Sequence, residues 1–195
     1  MRQFIANFIL FQLSWLALVG GAGRGLLWPG LLLSSIFLAW ELSISQNRKG
    51  LCALLALGLV GGVIVDGSYA SFNIIDYAMP AGPLAPWWIM GLWLIFSLTL
   101  PQSMAWMRSR PIIGSLMAGV AAPMSYIAGL KLGAVTFPLG FWPTFAITAA
   151  TWIPAIYIMV LLSIRLIPQT NAEFSSDTAH ISPQADSDHR TLEQS

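Results

Sequence analysis

Between Phe4 and Ile167, apolar stretches long enough to cross a bilayer follow one another with only short joints between them, and that succession leaves few folds open. A hydrocarbon layer about 30 Å thick takes about 20 residues of helix at 1.5 Å each. Six stretches meet that length: Phe4 to Gly21, Leu26 to Ile44, Leu51 to Ser68, Pro86 to Trp106, Pro111 to Leu130 and Trp142 to Leu166. With 56% of the 195 residues hydrophobic and 9% charged, the chain is too apolar for a soluble domain. The expected fold is all-α, an integral membrane bundle of about six transmembrane helices. The N-terminus has the charged start and apolar run of a signal peptide, but no Ala-x-Ala site follows before the next span, so it reads as the first helix.

Basic residues set the orientation, because loops rich in lysine and arginine resist translocation. With the N-terminus inside, Arg2, Arg48, Lys49, Arg108, Arg110, Arg165 and Arg190 gather on the inner side, and only Arg24 and Lys131 lie outside. Both termini are therefore expected in the cytoplasm. Trp28, Trp87, Trp88 and Trp142 fall near the outer interface and Trp40 and Trp106 near the inner one, the level amphipathic rings prefer. Residues 1–168 form one helical domain on this reading. Residues 169–195 are polar and acidic, too poor in apolar groups to offset the entropy of ordering, and are expected to be a disordered cytoplasmic tail.

Several kinds of chemistry have no support. A formal net charge of +1 supplies no field for nucleic acid. The single cysteine, Cys52, excludes an intrachain disulfide and reads as a small buried apolar group. His180 and His189 stand alone in the tail, so no metal site is expected, and no phosphate loop, zinc-binding helix or serine elbow points to a cofactor or to a known hydrolytic centre.

What remains is a set of polar groups within and beside the spans. In "GLVGGVIVDG", Gly58, Gly62 and Asp66 recur every four residues and share a helix face. The glycines offer a groove for close helix contact, and the carboxylate faces protein about 22 Å above Leu51. An ionisable group at such depth is either functional or a hydrogen-bonding tie to another helix. The fifth span carries a second small-residue stripe, Gly114, Ala118, Ala122, Ser125 and Gly129, which reads as another packing face, with Pro123 expected to kink it. Tyr126 lies at about the depth of Asp66, as a pocket partner or an interfacial anchor. Asp76 and Lys131 fall in outer joints, and with Asp66 and Tyr126 complete the candidate catalytic set, should they converge. Asn7, Phe11, Ser14 and Leu18 share one face of the first span, and Gln12, near mid-depth, should find a partner inside the bundle. Thr144, Thr148 and Thr151 read as structural glue. Glu41, close to Arg48 and Lys49, reads as a solvated ion pair.

The stretches "NFILFQLSWLALVGGAG" (Asn7 to Gly23), "PLAPWWIMGLWLIFSLTL" (Pro83 to Leu100) and "APMSYIAGLKLGA" (Ala122 to Ala134) resemble the domain of unknown function 2878 family of bacterial inner-membrane proteins. The resemblance spans nearly the whole chain except the tail. It implies a multi-pass protein of the inner membrane with a lipid-associated setting, and it brings no assigned activity or catalytic residues. Three functional readings follow: an accessory protein that binds membrane lipids or a membrane-protein partner, an intramembrane lipid-modifying enzyme using Asp66, and a small proton-coupled transporter. Asp66→Asn is expected to keep the shape and most hydrogen bonds while removing the charge, and so to separate packing from chemistry.

Overall fold

The computed structural model describes residues 1–80, 82 and 84–168; the expected tail lies outside them. The chain runs α1 (Arg2–Ala22), α2 (Trp28–Ile44), α3 (Arg48–Ser71), β1 (Asp76–Tyr77), α4 (Trp87–Ser97), α5 (Trp106–Ser109), α6 (Pro111–Lys131), β2 (Val135–Thr136) and α7 (Phe141–Leu166). Four helices, α1, α3, α6 and α7, are long and apolar enough to cross a membrane, while α2 and α4 are apolar but shorter. Large apolar side chains such as Phe8, Val60, Ile64 and Ile112 stand exposed along these helices, the surface a lipid solvent requires. The fold is helical and the protein is a membrane protein.

Local chemistry sets the helix ends. Pro29 and Pro111 fall at the starts of α2 and α6, where a missing N–H costs nothing. Asn47 caps α3 by accepting from the Gly50 amide at 2.8 Å, and its own amide donates to Leu166 O at 2.9 Å, tying the start of α3 to the end of α7. α6 and α7 run unbroken through Pro123 and Pro154. Pro101 is not tolerated in this way. The expected span from Pro86 to Trp106 is helical only to Ser97, four residues before the proline, and then proceeds through turns to α5. A proline removes one amide and crowds the carbonyl four residues back, and that carbonyl belongs to the last residue of α4.

α1 packs on α2 and α4, α3 on α4 and α7, and α6 on α7. The helices thus follow one another around an arc, α2, α1, α4, α3, α7, α6; α1 meets α6 at its C-terminal end, where Gly23 lies against the backbone of Leu132, and the two part over the rest of their length. At one end of the bundle, the two proline-containing joints pair as a short antiparallel ladder, Asp76 opposite Thr136 and Tyr77 opposite Val135. The ladder carries the buried Tyr77 against the bundle, and Trp88 Nε1 holds the adjoining segment by donating to Ala78 O at 2.9 Å.

Candidate functional site

Asp66 is 1% exposed and accepts three hydrogen bonds from three different elements. Tyr77 of β1 and Tyr126 of α6 donate to Oδ1 at 2.7 and 2.6 Å, and Trp93 of α4 donates to Oδ2 at 2.7 Å. Trp93 Nε1–H can only donate, so Asp66 Oδ2 meets it as an acceptor. Around this knot the rings close up. Trp93 stacks on Trp152 of α7 with centroids 5.0 Å apart, Tyr126 meets Trp152 edge-on, and Tyr69 meets Tyr126 and hydrogen-bonds Thr151. Burial, and then the Asp66 charge, push the Tyr77 phenol well above its ordinary range, so it remains a proton donor.

The knot forms part of the wall of a cavity of about 750 Å³ between α1 and α6, with α4 and Trp152 behind. That volume lies in the range of roughly 300–1,000 Å³ typical of ligand pockets. Its α6 wall runs from Gly114 to Gly129, about 22 Å at 1.5 Å per residue, most of a hydrocarbon layer. Gly114, Ala118, Ala122, Ser125 and Gly129, expected at a helix seam, all line this cavity, and Gly114 also lies in a seam, since an added Cβ would sit 2.9 Å from Met107 of α5. The α6–α7 contact instead uses the neighbouring Gly119, where an added Cβ would lie 2.5 Å from Ile153 Cγ1. Gln12, expected to find a partner inside the bundle, is exposed on the cavity wall, and no side-chain hydrogen bond joins it to another described residue.

Of the four candidate residues, the structure brings Asp66 and Tyr126 into contact at the cavity. Asp76 and Lys131 are exposed, and neither lines it. Tyr77 and Trp93 complete the site and escaped the sequence reading. Trp93 had a signal: a tryptophan in mid-span is away from the interface its N–H prefers and therefore needs a buried acceptor. Tyr77 had a weaker one, since "NIIDY" and "AVTF" are β-branched and aromatic runs near glycine and proline.

A second polar cluster repairs the break after α4. Asn7 Nδ2 donates to Leu98 O at 3.0 Å, and Asn7 Oδ1 accepts from Ser103 Oγ at 2.5 Å. Backbone groups freed inside a membrane need such partners. Asn7 Nδ2 also donates to Glu41 Oε1 at 2.5 Å. Glu41 is 1% exposed, so the solvated pairing with Arg48 and Lys49 is corrected: Arg48 donates to Ser43 O, and Glu41 turns inward because Asn7 is there to meet it. Cys52 is likewise corrected, being exposed on α3. Asn7→Ala removes the link between α1, α2 and the broken segment and is expected to cost about 1–2 kcal/mol, read as a lower melting temperature in detergent.

Among the described residues, no cluster of His, Cys, Asp or Glu could hold a metal ion. Neither a curated protein nor a solved structure matches the chain. Residues 4–160, which hold all but the first two residues of α1, α2 to α6, most of α7, both buried polar clusters and the whole lining of the cavity between α1 and α6, match a known family, and the chain belongs to it: Protein of unknown function (DUF2878).

Proposed function

We propose that the protein is an accessory protein of the bacterial inner membrane that takes the apolar chain of a membrane lipid into the groove between α1 and α6. The observation that carries this reading is the groove itself: apolar, walled by small residues on α6 and aromatic rings on α1 and α4, and about as long as a bilayer leaflet and a half. In this reading α2 and the α4–α5 segment also cross the membrane, giving six crossings with both termini inside, as the basic residues favour.

Asp66 supports the binding reading over the enzymatic one. Three donors occupy its two oxygens, so it is poorly placed to attack a substrate or to take its proton. It acts instead as the tie that holds α3, α4, α6 and the ladder together behind the groove. The enzyme reading retains one favourable observation, the position of Asp66 and Tyr126 on the cavity wall.

The test is native mass spectrometry of the protein extracted in mild detergent. Wild-type protein is expected to carry lipid, and Ala118→Trp, which fills the groove without entering a helix seam, is expected to lose most of it while remaining folded. Equal lipid on both proteins would remove the groove from the account.

A further inference from the structure

A second pocket lies beside the groove at Trp106. Trp106 lines both; beyond it the second pocket is walled by Arg108, Ser109, Ile164 and Pro168. Its chemistry differs from that of the groove. Arg108 uses one Nη2–H on the Ile167 carbonyl, and its Nε is buried without a hydrogen-bond partner among the described residues. α6 begins two residues after Ser109, with no side chain capping its first turn, so the positive end of a 21-residue helix adds to the same region. A buried guanidinium N–H without an acceptor is a cost that an anionic oxygen removes, and phosphate oxygens suit a guanidinium fork.

We infer that this pocket holds the phosphate of an anionic phospholipid whose acyl chain lies in the groove, headgroup at Arg108 and chain running toward the Asp66 knot. The inference rests on the lipid-binding reading and adds to it a headgroup class and a direction. Trp106 sits where the chain leaves the polar pocket, at the level of the glycerol esters, where an amphipathic ring is at home. Arg110, exposed at the N-cap of α6, adds positive potential at the mouth.

The experiment uses the full chain in nanodiscs and in detergent, with phosphatidylglycerol and phosphatidylcholine of identical dioleoyl chains as probes; both carry the phosphodiester, and in the second the choline cation cancels its charge and is repelled by Arg108 and Arg110. Wild-type protein is expected to retain phosphatidylglycerol about fivefold better, the size of one arginine's contribution near a membrane surface. Arg108→Gln is expected to bring the two lipids level without lowering retention of phosphatidylcholine, and Arg108→Lys to keep most of the preference. Arg108 also supports the end of α7, so Ser109→Glu provides a variant that leaves that contact intact; it too should abolish the preference. Ala118→Trp should lose both lipids alike. A phosphatidylglycerol preference that survives Arg108→Gln and Ser109→Glu would overturn the headgroup assignment and leave the groove standing. Unchanged retention of both lipids by Ala118→Trp would instead overturn the groove. If wild-type protein retains the two lipids equally while millimolar inorganic phosphate binds it and Arg108→Gln removes that binding, the pocket's ligand is free phosphate and the lipid assignment fails.

Discussion

Asp66→Leu is expected to destabilise the bundle by about 2–3 kcal/mol, whereas the nearly isosteric Asp66→Asn is expected to cost much less. An amide offers one acceptor oxygen and one NH2, and the site presents one N–H that can only donate and two hydroxyls that can also accept. With the amide oxygen turned to Trp93 Nε1–H, the NH2 donates to the two tyrosine hydroxyls, while leucine leaves all three groups without a partner. Asp66→Asn therefore removes the charge and keeps the hydrogen bonds, and the pair of substitutions separates packing from chemistry. Tyr126→Phe and Tyr77→Phe are expected to cost less, about 1 kcal/mol each, because the carboxylate keeps two donors. In a three-partner knot the double change should cost more or less than the sum, so a double-mutant cycle on melting temperature is the measurement. Wild-type stability for Asp66→Leu would show that the hydrogen bonds contribute nothing.

Gly62→Leu is expected to fail to accumulate in the membrane. A Cβ at Gly62 would sit 2.6 Å from Trp93 Cδ1 and 2.7 Å from Cγ, and the ring cannot move aside, being held by Asp66 and stacked on Trp152. One turn earlier, Gly58 meets Ser97 in the same way, with Ser97 Oγ 2.1 Å from the added atom. Overpacking a seam typically costs about 1–3 kcal/mol, and here it also breaks the knot, so the upper end is expected. Ala118→Leu adds a similar bulk where the wall faces open space and should accumulate normally. Comparing membrane levels of the two variants distinguishes seam from groove; equal loss would mean that α6 packs on something at Ala118.

The long helices were legible because their apolar runs are uninterrupted. The structure gives Arg2–Ala22, Arg48–Ser71, Pro111–Lys131 and Phe141–Leu166 against expected spans within a few residues of each. The break at Ser97 was hidden, since the effect of Pro101 depends on what replaces the lost backbone bonds, and Asn7, ninety-one residues from Leu98, is not visible in local pattern. Glu41 differs for the same reason: Arg48 and Lys49, near in sequence, suggest a partner, but its partner Asn7 lies on another helix. The spacing of Gly58, Gly62 and Asp66 placed the carboxylate against protein, yet its donors come from a loop and two other helices. Small residues on α6 looked like a packing face because a stripe of glycine and alanine reads alike whether a helix or an empty groove lies opposite. Only the arrangement of the helices, in which α1 and α6 touch at one end and part along the cavity, decides between them.

Photo-crosslinking in native membranes tests the lipid groove most directly. Cells supplied with a fatty acid carrying a diazirine in mid-chain incorporate it into their phospholipids, and after illumination the labelled peptides of this protein are mapped. The account predicts that groove residues such as Gln12, Met117 and Ala121 are labelled well above Val60 and Ile64, which are exposed on α3 outside the cavity, and that Ala118→Trp abolishes the difference. Labelling spread evenly over groove and outer faces, and unchanged by Ala118→Trp, would contradict it.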